Sequence, residues 1–186
     1  MSEIIALSGS PSEHSRTDCV LRFLCYLVER EGLSTTRISV RNFAPEDLVY
    51  ARFDSPQIEA LATSIREARG LMIAAPVYKA SYPGVLKALL DLLPQDILKD
   101  TPTFPLMTGG SMAHLLTIEY ALKPLLATMK AKNSQGVYLL DHQVDREKER
   151  NPILDPGALC RLKSELYRFV QEVQESKKIN GWRDSK

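Results

Sequence analysis

Apolar positions along the chain fall into two alternating kinds of pattern. Short unbroken apolar runs, as in strands buried on both faces, occur at 4–7 (IIAL), 70–78 (GLMIAAPVY), 103–110 (TFPLMTGG) and 136–141 (GVYLLD). A β-rich, partly alternating run at 34–40 (STTRISV) reads as a strand nearer an edge. Between the runs, apolar residues recur at helical spacing. Cys19, Leu21, Leu24, Cys25 and Val28 form one such face, ended by Gly32, and Ile58, Leu61, Ala62 and Ile65 form a second. Val85, Leu86, Leu89, Leu90 and Leu93 form a third, stopped by Pro94; two more helices are expected over about 112–131 and 156–173. Five strands alternating with five helices predict an α/β fold, a doubly wound parallel sheet with helices on both faces. The one awkward residue is Pro105, which cannot donate to a ladder in a central strand. A chain of 186 residues suits a single domain, 1–186, with about 174–186 as a flexible C-terminal tail.

In a sheet of this kind ligands bind beyond the carboxyl ends of the strands, where strand order reverses. Three loops there carry unusual chemistry. Loop one, GSPSEHSRT (9–17), offers the hydroxyls of Ser10, Ser15 and Thr17 beside a helix start with open backbone N–H groups, and Arg16 adds a charge. It lacks both the GxxxxGK[ST] and the GxGxxG pattern, which favours the phosphate of a mononucleotide over phosphoryl transfer or a dinucleotide pyrophosphate. A serine N-cap on a plain loop is the competing reading. Loop two, PVYKASYPG (76–84), follows the most apolar strand. Pro76 ends the pairing, Tyr78 can lie beside a flat ring, and the N–H groups of Val77 to Lys79 can face polar ring edges. Loop three, TGGSMAH (108–114), has the hydroxyls of Thr108 and Ser111 and a Gly109-Gly110 pair that permits close backbone approach. His114 reads as a cap or packing group. With no Ser-His-Asp order, HExxH or paired carboxylates, no catalytic side chain is assigned. The chemistry must come from the ligand.

Composition narrows the partners. Lysine and arginine total 24 against 23 acidic residues, which leaves no electrostatic footprint for nucleic acid. No apolar run approaches the roughly 20 residues of a membrane span, and no export signal opens the chain, so a cytoplasmic protein is expected. Cys19, Cys25 and Cys160 lack CxxC spacing and read as buried or idle thiols, with no metal site. The charge run 145–150 (DREKER) reads as a solvated loop.

The three loops in this order, together with NFAPEDLVYARFDSP (42–56), PVYKASYPGVLKALLDLLP (76–94) and TGGSMAHLLTIEYALKPLL (108–126), resemble the flavodoxin-like NAD(P)H-dependent FMN reductases, over about residues 3–145. Within them the resemblance is greatest to the reductases of bacterial alkanesulfonate desulfonation. It implies the flavodoxin-like strand order 2-1-3-4-5, with FMN and NADPH or NADH as reactants. It further implies hydride transfer from nicotinamide C4 to flavin N5, and reduced flavin leaving for a separate FMNH2-dependent monooxygenase. Ser10, Ser15, Arg16 and Thr17 would then meet the phosphate. Pro76, Val77 and Tyr78 would meet ribityl and ring, with Lys79 as a charge favouring reduced flavin, and Thr108, Gly109, Gly110 and Ser111 the far ring edge. Many relatives carry arginine at the position of Ser12, so the phosphate grip here is either weaker or carried by Arg16. The helix-interior Pro124 leaves the Tyr120 carbonyl without its donor and can widen the helix into a π-bulge. The resemblance places such a tyrosine at a subunit interface near the flavin, in a dimer or tetramer. Two alternatives remain on this fold: a tightly bound FMN serving quinone, azo-dye or metal-ion reduction, and an electron carrier, against which the near-zero net charge argues.

Overall fold

The computed structural model describes residues 3–148 and 150–183. Strand β1 (Ile4–Ser8) pairs in parallel with β2 (Thr35–Ser39) on one side and β3 (Gly70–Pro76) on the other, and β3 pairs with β4 (Pro102–Gly109). The far edge of β4 carries two short strands, β5 (Lys132–Asn133) and β6 (Val137–Leu140). The order is therefore 2-1-3-4 followed by a divided fifth strand, a flavodoxin-like sheet with one strand more than expected.

Pro105 explains the division. On the edge facing β5 and β6, Thr103 pairs with Asn133 and Leu106 with Val137; the Ser134 N–H still donates to the Thr103 carbonyl, and residues 135–136 leave the ladder opposite the position that has no N–H to give. The chain escapes there through Gly136 at φ +76°, where an added Cβ would lie 2.5 Å from the Pro105 carbonyl oxygen. A side chain at 136 is excluded by both backbone conformation and space.

Helices α1 (Arg16–Arg30) and α6 (Pro156–Arg183) cover one face, and α3 (Pro56–Glu67) and α4 (Gly84–Asp91) the other. Alternation along the strands sorts the core accordingly. Ile4, Ala6, Met72, Ala74, Phe104 and Leu106 meet α1 and α6, while Ile5, Leu7, Leu71, Ile73 and Met107 meet α3, α4 and the segment after β4. A short α2 (Pro45–Val49) forms between β2 and α3, with Pro45 at its first turn. The last helix runs on to Arg183 instead of stopping near 173. Of the expected flexible tail, 184–186 lie outside the described residues.

The largest departure is the helix expected over 112–131. It is broken into a 3₁₀ turn (Met112–His114), a π-helical turn (Ile118–Leu122) and α5 (Lys123–Thr128). Pro124 cannot continue an i→i−4 ladder, and the Lys123 N–H reaches back five residues to the Ile118 carbonyl.

Candidate active site

All strands are parallel, so loops one, two and three leave the same edge of the sheet, and hydrogen bonds tie them together. The Gly9 N–H donates to the Ala74 carbonyl in β3 at 2.7 Å, and the Val77 N–H to the Thr108 carbonyl at 2.7 Å. The Thr17 and Thr108 hydroxyls meet at 2.7 Å, fully inside. Gly9 lies so close to Leu86 of α4 that a Cβ would come within 2.6 Å of Cδ2; packing, not the turn, requires glycine there.

Several residues expected at the ligand are occupied within the protein. Thr17 is one, since its hydroxyl locks α1 to the end of β4, and Thr108 is its partner. The Tyr78 N–H donates to the Ser81 carbonyl at 2.8 Å and the Ser81 N–H returns to Tyr78 at 3.1 Å. With the Val77 N–H also spent, Lys79 is the one of the three expected donors, Val77 to Lys79, with no such internal bond. Lys79 (φ 50°) and Ala80 (φ 60°) form the two-residue turn between these bonds in the left-handed region, at about 1–2 kcal/mol each for non-glycine residues. Gly109 serves packing too, because a Cβ there would lie 2.4 Å from the Tyr138 hydroxyl. Gly110 and Ser111 are exposed at the loop's outer side, where the Ser111 hydroxyl accepts from the Ala113 N–H at 3.1 Å.

What remains open converges at the start of α1. Ser15 is the N-cap, its Oγ accepting from the Asp18 N–H at 3.4 Å, and the buried Ser10 Oγ accepts from the Ser12 N–H at 3.3 Å. Each hydroxyl keeps its own proton to donate. Arg16 and Thr17 occupy the first two helical positions, whose N–H groups have no acceptor within the helix. Arg16 Nε is buried with no partner. A cation at a helix N-terminus is disfavoured by the helix dipole, and a buried unpaired donor is costly. An anion in this cradle removes both penalties, which is the fit a flavin phosphate requires.

Two tyrosines hold the site's other walls: Tyr138, which the sequence did not suggest, and Tyr120, which the resemblance placed near a flavin at a subunit interface. The Tyr138 hydroxyl, on β6, donates to the Ser111 carbonyl at 2.6 Å; burial and the Asp141 carboxylate push its pKa up, so it stays a donor. The Tyr120 hydroxyl, in the π-helical turn, donates to the Ala80 carbonyl at 3.0 Å and lies 3.2 Å from the Thr117 hydroxyl. Pro124 announced the bulge, but nothing in the sequence aimed Tyr120 at the strained turn of its own chain. Tyr120→Phe should keep the fold and speed amide exchange at Tyr78 and Ser81 about fivefold, for a bond worth about 1 kcal/mol; unchanged exchange contradicts the contact.

Other chemistry is sparse. His114 is half-buried at the end of its 3₁₀ turn. Cys19 and Cys25 are buried and Cys160 is exposed; burial raises the Cys19 thiol and pushes Cys25 up to about 11. Among the described residues no group of histidines, cysteines and carboxylates is placed to hold a metal, and no helix is long and apolar enough to cross a membrane.

The model of the NADPH-dependent FMN reductase family matches residues 2–145. The chain is 43% identical over 171 residues to an FMN reductase (NADPH) of Escherichia coli, covering 91% of this chain and 89% of that one. It is 36% identical over 156 residues to an NADH-dependent FMN reductase of Pseudomonas fluorescens, covering 78% and 82%. Among solved structures, an apo NADH:FMN oxidoreductase superposes with a TM-score of 0.81 at 30% identity, covering 92% and 89%. The sheet with its cradle at the start of α1 and this likeness over most of the chain agree: the protein belongs to the NADPH-dependent FMN reductase family.

Proposed function

We propose that this chain is an NAD(P)H:FMN oxidoreductase that delivers reduced flavin to a separate monooxygenase, in alkanesulfonate sulfur assimilation. The observation that carries the flavin part is the open cradle at α1, where the unpartnered Arg16 guanidinium, the first-turn N–H groups and the Ser10 and Ser15 hydroxyls suit one phosphate. Bound there, FMN supplies the hydride acceptor. The protein's part is orientation. Loop two presents the half-exposed Tyr78 and the Lys79 N–H toward the ring, and Gly110 and Ser111 bound the other edge. Holding two reactants in register is worth about 7–11 kcal/mol without any acid or base. The strained Lys79-Ala80 turn, fixed by Tyr120, supplies the rigidity this needs.

The same end of the molecule leaves Tyr78, Met112, Leu115, Leu116 and Tyr120 exposed. So many neighbouring apolar side chains favour a homo-oligomer, a dimer or tetramer, with Tyr120 near its interface and flavin exchange dependent on it. The monooxygenase and the sulfonate role rest on the resemblance of the three loop segments.

The reading is tested by steady-state oxidation of NADPH and of NADH with FMN, FAD and riboflavin in parallel. FMN should give the highest kcat/KM with free flavin turning over. A yellow protein that keeps its colour on dialysis and reduces quinones without free flavin overturns it. Because no titrating side chain is assigned to hydride transfer, kcat should change less than about threefold between pH 6 and 8, and His114→Ala should keep most activity. Loss of several orders of magnitude with flavin affinity intact would expose a missed catalytic group.

A further inference from the structure

The charged run 145–150, expected to be a solvated loop, is tied to the phosphate cradle at two points. Its base is fixed: Val144 and Ile153 are buried and bridge in antiparallel fashion, and the Asp145 N–H donates to the Pro152 carbonyl at 2.8 Å. From that base, Arg146 Nη1 donates to the His14 carbonyl at 3.4 Å, while the Arg146 carbonyl accepts from Cys19 Sγ at 3.8 Å. Residues 14 and 19 bracket the cradle, so the arm spans the segment that holds Ser15 and Arg16. Loop one has little else to hold it. Residues 11–14 are exposed, and on its other flank the Glu13–Arg41 pair, 3.5 Å apart, is exposed on both sides and weak.

We infer that Arg146 is a positioning residue for the flavin phosphate, acting through the His14 carbonyl to hold the loop-one backbone in its anion-binding form. The inference rests on the proposed flavin site. The expectation is specific to the phosphate, because among the described residues the arm's hydrogen bonds to this end of the sheet go to His14 and Cys19 and to neither of the ring-facing loops. Arg146 Nε pairs with the exposed Glu147 carboxylate at 3.5 Å, so its part is to hold the backbone and not to add net charge.

The test is equilibrium titration of the full chain with FMN and with riboflavin, for the parent, Arg146→Ala, Arg146→Lys and Ser15→Ala. Arg146→Ala should raise the FMN Kd about three- to tenfold, leave riboflavin unchanged, and raise KM for FMN while kcat at saturation stays within about twofold. Arg146→Lys, which keeps a charge and a donor, should recover most of the FMN affinity. Equal weakening of both flavins, no weakening of FMN, or a lysine variant as weak as alanine overturns the positioning role. If Ser15→Ala lowers the FMN preference while Arg146→Ala does not, the arm alone is refuted. If neither changes it, the phosphate site falls as well.

Discussion

Arg16→Met should weaken FMN binding by about tenfold to a hundredfold and leave the apo protein as stable as the parent or more so. The two signs together make the prediction sharp. In the apo protein Arg16 carries two costs, a buried Nε with no partner and a positive charge in the first turn of α1. Methionine removes both, keeps the methylene packing, and is as good a helix former. A structural arginine would show the reverse, since its loss would lower Tm. With a phosphate bound, the same guanidinium makes a charge-assisted bond worth about 1.5–3 kcal/mol, which sets the size of the affinity loss. Riboflavin has no phosphate and should bind the variant and the parent alike. Thermal melts without flavin and titrations with both flavins check all three statements. A variant that melts lower and binds FMN normally would return Arg16 to the role of an ordinary surface cation.

The second large effect is expected at loop three. In Gly109→Ala the new Cβ would stand 2.4 Å from the Tyr138 hydroxyl and 3.2 Å from its ring, with Val77 Cβ at 3.3 Å on the other side. Tyr138 is buried and cannot swing into solvent, so it must shift and give up its bond to the Ser111 carbonyl. Overpacking of this kind costs about 1–3 kcal/mol, and the lost bond about 1 more. In a chain of 186 residues that corresponds to a Tm lower by roughly 5–15 °C. Flavin affinity should fall with it, because Ser111 and Gly110 move with the carbonyl. Adding Tyr138→Phe removes the nearest clash and should restore part of the Tm, so the pair will be non-additive. Strict additivity would mean that Tyr138 and Gly109 do not share the space described.

These two residues show what the sequence could and could not carry. The alternation of runs placed the five expected strands within a residue or two, because strands buried on both faces leave unbroken apolar stretches bounded by Gly and Pro. It also placed the three loops at one sheet edge, since parallel topology admits no other arrangement. The division of the fifth strand was not legible. Pro105 was visible as an anomaly, but its consequence lies in which residue faces it across the ladder. Over 112–131, Pro124 announced the π turn, but the 3₁₀ turn at Met112–His114 was not legible, because an apolar face at helical spacing cannot distinguish an α-helix from one that opens in a 3₁₀ turn.

Within the candidate site, the sequence brought the three loops together but not the bonds inside them. Ser10, Ser15 and Arg16 gather at the start of α1. Thr17, Thr108 and the Val77 and Tyr78 N–H groups each have an internal partner that no spacing rule reveals. Tyr138, Tyr120 and Arg146 reach the site across 27 or more residues of chain, and contacts of that range leave no local pattern.

Flavin recognition by this protein depends most on loop one being a phosphate site. Titrating the unmodified protein with FMN and with riboflavin, at low and at high salt, measures this directly. FMN should bind at least about tenfold more tightly at low salt, with a preference that shrinks as salt is raised, while riboflavin hardly responds. Equal affinity for the two flavins at every salt concentration would contradict it.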